Sequence, residues 1–212
     1  MRRRALLGLT LALAGCGALS PTPYVARRTW PLVVRRPDTA TASGTAGVLL
    51  VRTMTPAPGL DARGLLTMQT DGSINADYYE EWAVSPADAI EDDLRRWLAD
   101  SGLFAAVLAP GSRIDADLVL ESELTALWFD RRSGKVRLTV ALVLSAPRGA
   151  DEQVLLQRSF AAEVAPAGTD PAAIVAATRQ ALAQVLQAIE TAVAPYARAP
   201  RSGGLAPRSS HR

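Results

Sequence analysis

Residues 75–110 read NADYYEEWAVSPADAIEDDLRRWLADSGLFAAVLAP. They spell an extended segment carrying Tyr78, Tyr79 and Trp82, then a helix, then a short apolar strand. Ser85 fits an N-cap, because its hydroxyl can accept from backbone N–H groups left free in the first helical turn. Pro86 follows at the first helical position, where a missing N–H costs nothing. Asp88, three residues after Ser85, completes an approximate capping box. Ile90, Leu94, Trp97 and Leu98 then recur at helical spacing as one apolar stripe. The opposite face offers Glu91–Arg95 and Asp92–Arg96 four apart, in the favourable order. Gly102 stops the helix, and Phe104, Val107 and Leu108 resume as a strand. An amphipathic helix of this kind needs a sheet to lie on.

C-terminal to this block, three long stretches alternate apolar and polar residues. Leu118, Leu120, Leu124, Ala126 and Trp128 share one parity. So do Val136, Leu138, Val140, Leu142 and Leu144, and again Val154, Leu156, Phe160, Ala162 and Val164. Arg132-Ser133-Gly134 and Pro147-Arg148-Gly149 are the turn signals between them, which predicts an antiparallel meander with one buried face. N-terminal to the block, Val48–Val51 is apolar on both faces and reads as an interior strand. Residues 65–70, followed by Asp71-Gly72, read as the first arm of a hairpin. A second helix is expected after Asp170 as cap and Pro171 as first residue. Its stripe is Ile174, Leu182, Val185, Ile189 and Val193, and Pro195 should end it. The fold class is therefore α+β: a mostly antiparallel sheet of about five strands with two amphipathic helices packed on one face.

The N-terminus bears on the compartment. Arg2, Arg3 and Arg4 precede an apolar run over residues 5–14, the pattern of a secretory signal peptide. The run is too short to span a bilayer, which takes roughly 20 apolar residues. It ends in Leu13-Ala14-Gly15-Cys16, which looks like a bacterial lipobox; the plainer reading is an ordinary signal peptide with an accidental cysteine. The lipobox implies cleavage before Cys16, acylation of its sulfur and, with Gly17 rather than Asp following, sorting to the outer membrane. Cys16 is the one cysteine, so no disulfide is expected. The expected organisation is a signal peptide over 1–15, a lipidated tether over 16–45, a domain over 46–196 and a disordered basic tail over 197–212. The tether could hold a short strand near Tyr24, and the cluster over 30–34 could dock on the domain, although a loose linker fits the composition better.

Charge and residue inventory exclude several functions. The chain has 23 basic and 21 acidic residues, and removing the three signal-peptide arginines leaves 20 against 21. A nearly neutral mature chain has no electrostatic motive for nucleic acid. His211 is the one histidine and lies in the tail, so no Ser–His or Cys–His arrangement can form in the domain. No phosphate-binding glycine loop occurs and no Cys/His set suits zinc, so no cofactor is expected. Glu121 with Glu123, and Asp115 with Asp117, are carboxylate pairs of the type a glycosidase uses. Two residues apart on an outward face, they read as a solvated edge, and the chain is not expected to be an enzyme. On the plainer reading Trp82 and one of Tyr78 and Tyr79 cover the sheet; on the other, Tyr78, Tyr79 and Trp82 form a contact surface, since Tyr and Trp are favoured interface anchors. Trp128 and Phe129 point to opposite faces, so one of them should end outside.

With those residues in view, the chain resembles the ABC-type transport auxiliary lipoproteins, the PqiC-like family. The resemblance is carried by the lipobox, Pro58-Gly59-Leu60, the run YEEWAVSP over 79–86, Ser101-Gly102-Leu103-Phe104 with Val107, ADLVLESEL over 116–124, and the Ala-rich closing helix. It covers about residues 46–195. It implies a non-catalytic part of an envelope lipid-transport system, in which an ABC permease and ATPase serve an MCE-domain protein that bridges the periplasm. The auxiliary lipoprotein, anchored in the inner leaflet of the outer membrane, would dock that MCE protein through Tyr78, Tyr79, Trp82 and the outward one of Trp128 and Phe129. By analogy alone, a homo-oligomer is expected around the conduit. A competing class is a lipoprotein regulator of a periplasmic cell-wall enzyme.

Overall fold

In the computed structural model, residues 24–40, 47–148 and 151–197 are described. Three long strands form the frame: β7 (Leu118–Asp130), β8 (Lys135–Arg148) and β9 (Asp151–Val164), paired antiparallel in chain order. That meander follows from the alternation. The other edge of β7 is shared along its length by three short parallel strands: β2 (Val48–Val51), β3 (Thr55–Pro56) and β4 (Gly64–Met68). Beyond them, β6 (Ala106–Leu108) lies parallel on β2. β5 (Ile74–Trp82) lies antiparallel on β4, and β1 (Arg28–Trp30) parallel on β5. The sheet is thus nine-stranded and mixed, which corrects the expected five strands and the mostly antiparallel pairing. β1 and β3 have three and two residues, too few for a period of two to declare itself, and the parallel pairings of β2, β3 and β4 on β7 join segments distant in the chain.

α1 (Pro86–Asp100) and α2 (Pro171–Ala197) supply the apolar stripes that cover one face. Ile90, Leu94, Trp97 and Leu98 are all buried, as are Leu182, Val185, Ile189 and Val193, in one core with the inward residues of β7 and β8. α2 is long and apolar enough to cross a membrane by length and composition. Here, however, its buried residues rest on β8 and β9 as a core helix.

Local details differ from expectation in instructive ways. Ser85 caps α1 through its carbonyl, which accepts from Ala89 N–H at 3.0 Å, and its hydroxyl makes no capping bond. Asp170 does cap α2, accepting from Ala173 N–H at 3.1 Å. Pro195 lies inside α2 and does not end it. Asp92 pairs with Arg96 at 3.2 Å as expected. Glu91 instead accepts from Met54 N–H at 2.9 Å and ties α1 to the loop after β2.

A bulge in β7 between Leu124 and Ala126 changes parity in mid-strand. Leu118, Leu120 and Leu124 face the core before it, whereas Leu127 and Phe129 do so after it, opposite Leu138 and Val136. Trp128, in register with Arg137, is partly buried and packs against the edge of the core. A second irregularity, where Leu144 pairs Leu156 but Ser145 pairs Val154, leaves Val154 exposed against its expected inward position.

Candidate functional site

The aromatic stretch of β5 divides at a distortion. Gly64 pairs with Glu81 but Leu66 with Ala76, so residues 77–80 make an irregular passage in the strand. Asp77 fixes it, its Oδ1 accepting from the backbone N–H of Tyr79 at 2.8 Å and of Glu80 at 3.1 Å. Gly64 is required opposite, since a Cβ there would stand 2.5 Å from the Asp77 carbonyl oxygen.

At the end of the distortion, Glu80 is buried and works as a clamp. Its Oε1 accepts from Arg28 Nε and its Oε2 from Trp30 Nε1, both at 2.7 Å, which fastens β1 to β5. Trp82 is 3% exposed and belongs to the core beside Leu66 and Leu127. Within the distortion, Tyr78 is 67% and Tyr79 42% exposed, with their rings edge-on at 5.1 Å. The Arg27 guanidinium lies 4.0 Å from the centre of the Tyr78 ring, within cation–π range.

Of the five expected contact aromatics, the structure brings Tyr78 and Tyr79 together at the surface. It buries Trp82 and Phe129, and leaves Trp128 partly exposed. Trp82 and Phe129 are therefore core residues and no longer candidates for a contact. Cys16, His211 and the basic tail lie outside the described residues. A cleft of about 540 Å³ opens next to the tyrosines, lined by Leu65, Phe129, Pro171 and Ile174 together with Asp77 and Arg131.

Two of the four carboxylates weighed for catalysis have local tasks. Asp117 accepts from Val48 N–H at 2.8 Å, and Glu121 pairs with Arg52 across the surface. Among the described residues no cluster of His, Cys, Asp and Glu could hold a metal.

The segment over 31–40, expected as a linker, is strapped across both helices. Leu32 is buried; Val34 N–H donates to Asp93 Oδ2 at 2.8 Å; Arg36 donates to both oxygens of Glu190 at 3.0 and 3.2 Å. Trp97 Nε1 donates to the same Glu190 at 2.6 Å, and Arg179 reaches the Pro31 carbonyl. Burial raises the Asp93 carboxyl above its ordinary range, opposed by the Val34 and Arg96 hydrogen bonds. The Glu190 hydrogen bond raises Arg36 further, against the effect of burial. Sequence reasoning missed this strap. One signal was present: Asp93 is three after Ile90 and four before Trp97, on the buried stripe rather than the solvent face.

A model of the family described as the ABC-type transport auxiliary lipoprotein component matches residues 32–190. The chain belongs to that family. The matched span begins at Leu32, the buried residue of the strap, and takes in every element from β2 to most of α2. Among solved structures, a Xanthomonas campestris protein of the DUF330 family is 24% identical, with a TM-score of 0.64 over 79% of this chain and 95% of that one. A second, an uncharacterised protein, is 14% identical, with a TM-score of 0.63 over 79% of this chain and 99% of that one. Both share the fold. No curated protein matches. As a member of a lipoprotein family of transport systems, the chain is an auxiliary component, and the family points to a membrane-anchored place in the cell envelope.

Proposed function

We propose that the chain is a non-catalytic, outer-membrane-anchored subunit of an MCE/ABC-type intermembrane lipid transport system. Its task is to dock the periplasmic MCE component, and through it the ABC permease and ATPase. The observation that carries this reading is the family match across residues 32–190. Three features support it. Cys16 closes a lipobox and is followed by Gly17. The carboxylates with a conceivable catalytic role are engaged in structural contacts or stand on the surface. Trp128 keeps part of its surface, an aromatic anchor of the kind a docking protein requires.

The test is co-purification of the full lipidated chain from membranes with the MCE protein encoded beside it, with Cys16→Ala as control. The reading expects acyl labelling of the wild type and recovery of the MCE protein, and expects Cys16→Ala to lose label and leave the outer-membrane fraction. A chain that retained no MCE protein but activated a cell-wall synthase would be a regulator instead.

A further inference from the structure

The exposed half of β5 sits where the chain leaves its lipid anchor. Tyr24, the first described residue, is eight residue steps from Cys16. Fully extended, that span is at most about 29 Å, at roughly 3.3–3.6 Å per residue. From Tyr24 the chain runs directly into β1, which pairs with β5 at Glu80–Trp82 and holds Arg27 over Tyr78. Exposed apolar side chains accumulate on these two chain segments. Tyr24 is 91% and Val25 53% exposed in the lead into β1, and Ile74 is 48% exposed on β5, the strand that carries the exposed Tyr78 and Tyr79. These are five of the nine large exposed hydrophobic residues among the described ones. Lone exposed apolar residues are ordinary, but a cluster of them marks a contact surface.

We propose that this patch, Tyr24, Val25, Ile74, Tyr78 and Tyr79, rests on the lipid surface and sets the orientation of the domain on the membrane. The assignment rests on the lipid-anchor reading of Cys16 and deepens it. Tyrosine is favoured at a membrane–water boundary because its ring is apolar and its hydroxyl stays wet. Arg27 stacked on Tyr78 can lay its stem along the ring and leave its charge among headgroups. The charges around the patch nearly cancel: Arg27, Arg28 and Arg63 stand against Asp77, Glu80 and Glu81. Asp77 and Glu80 already accept hydrogen bonds within the fold, and Arg63 lies 3.5 Å from Glu81. The contact is therefore apolar and aromatic, and needs no anionic lipid. Trp128, on β7, is left to the protein partner.

The chain offers a clean probe. Lipidation consumes the thiol of Cys16, so Ala76→Cys, at an exposed position between Ile74 and Tyr78, supplies the one free thiol. The full lipidated chain carrying this change, with an environment-sensitive fluorophore on it, is reconstituted in phosphatidylcholine vesicles. Glu163→Cys on β9 is the control. The proposal expects a blue-shifted emission at 76 that nitroxide-bearing lipids quench, and neither effect at 163. Adding Tyr78→Ser and Tyr79→Ser to Ala76→Cys should reverse much of the shift while the chain still sediments with vesicles. Co-sedimentation with an aqueous, unquenched label at 76 would overturn the proposal and leave the anchor standing. A label shielded from iodide yet out of reach of nitroxide lipids would mean a protein surface covers the patch, which also overturns it. Failure of the chain to sediment with vesicles would remove the anchor reading, and the proposal with it.

Discussion

The two halves of β5 share a strand and a taste for aromatic residues, yet they meet opposite environments. At the Glu80–Trp82 end the strand has a neighbour on each side, β1 and β4, and Trp82 is enclosed in the core. Along Ile74–Ala76 it has β4 alone, residues 77–79 bulge out of register with both neighbours, and Tyr78 and Tyr79 stand in solvent. Side-chain type does not explain the difference, since tyrosine and tryptophan bury comparable apolar area. What decides it is the second neighbouring strand, delivered by a segment about fifty residues earlier in the chain and fastened by the Glu80 carboxylate. One half of the strand is thereby committed to stability, and the other is left free to make a contact.

The sharpest way to break this comparison is to truncate one aromatic from each half. Trp82→Ala should cost about 3–5 kcal/mol, as for large buried aromatics generally. In urea titrations that appears as a clear fall in midpoint. Glu80→Ala removes the acceptor shared by Arg28 and Trp30. It should cost about 1.5–3 kcal/mol, the range for hydrogen bonds to a charged group. It should also speed proteolysis near Ala26, because β1 loses its clamp. Gly64→Ala tests the junction itself: its new Cβ meets the Asp77 carbonyl, and overpacking of this kind costs about 1–3 kcal/mol. Calorimetry should show a lowered Tm there, and an unchanged Tm would mean the distortion at 77–80 is soft. Tyr78→Ser with Tyr79→Ser should change stability by no more than about 0.5 kcal/mol, as for exposed sites. A larger loss on the same urea titration would make the exposed half structural after all.

What was legible in the sequence is what repeats within a single element. Pro86, Gly102 and the Ile90–Leu94–Trp97–Leu98 stripe define α1 almost to the residue, and alternation defines the meander of β7, β8 and β9. Alternation failed where a bulge spends an extra residue. The extrapolation from Leu124 to Trp128 crossed one, so Phe129 and not Trp128 faces the core. On the far edge of β7 the strands over 48–51, 64–68, 74–82 and 106–108 were read but their parallel pairing was not, and three residues of β1 and two of β3 carry no period, with partners set by tertiary contacts. The candidate surface was half legible. Of the two readings left open, the one with Trp82 and one tyrosine over the sheet holds for Trp82 alone, since both Tyr78 and Tyr79 are exposed, and nothing in the neighbourhood of Trp82 announces β1.

Backbone exchange resolves the two halves in one experiment. Hydrogen–deuterium exchange would be followed over β5 in the lipidated chain on vesicles and in the unlipidated mature chain, Cys16→Ser, free in solution. The account predicts slow exchange at Glu80–Trp82 in both states, and fast exchange at Tyr78 and Tyr79 in solution that slows on vesicles. Equal exchange of Tyr78 and Tyr79 in the two states, or protection of them in the free chain as strong as that of Trp82, would contradict it.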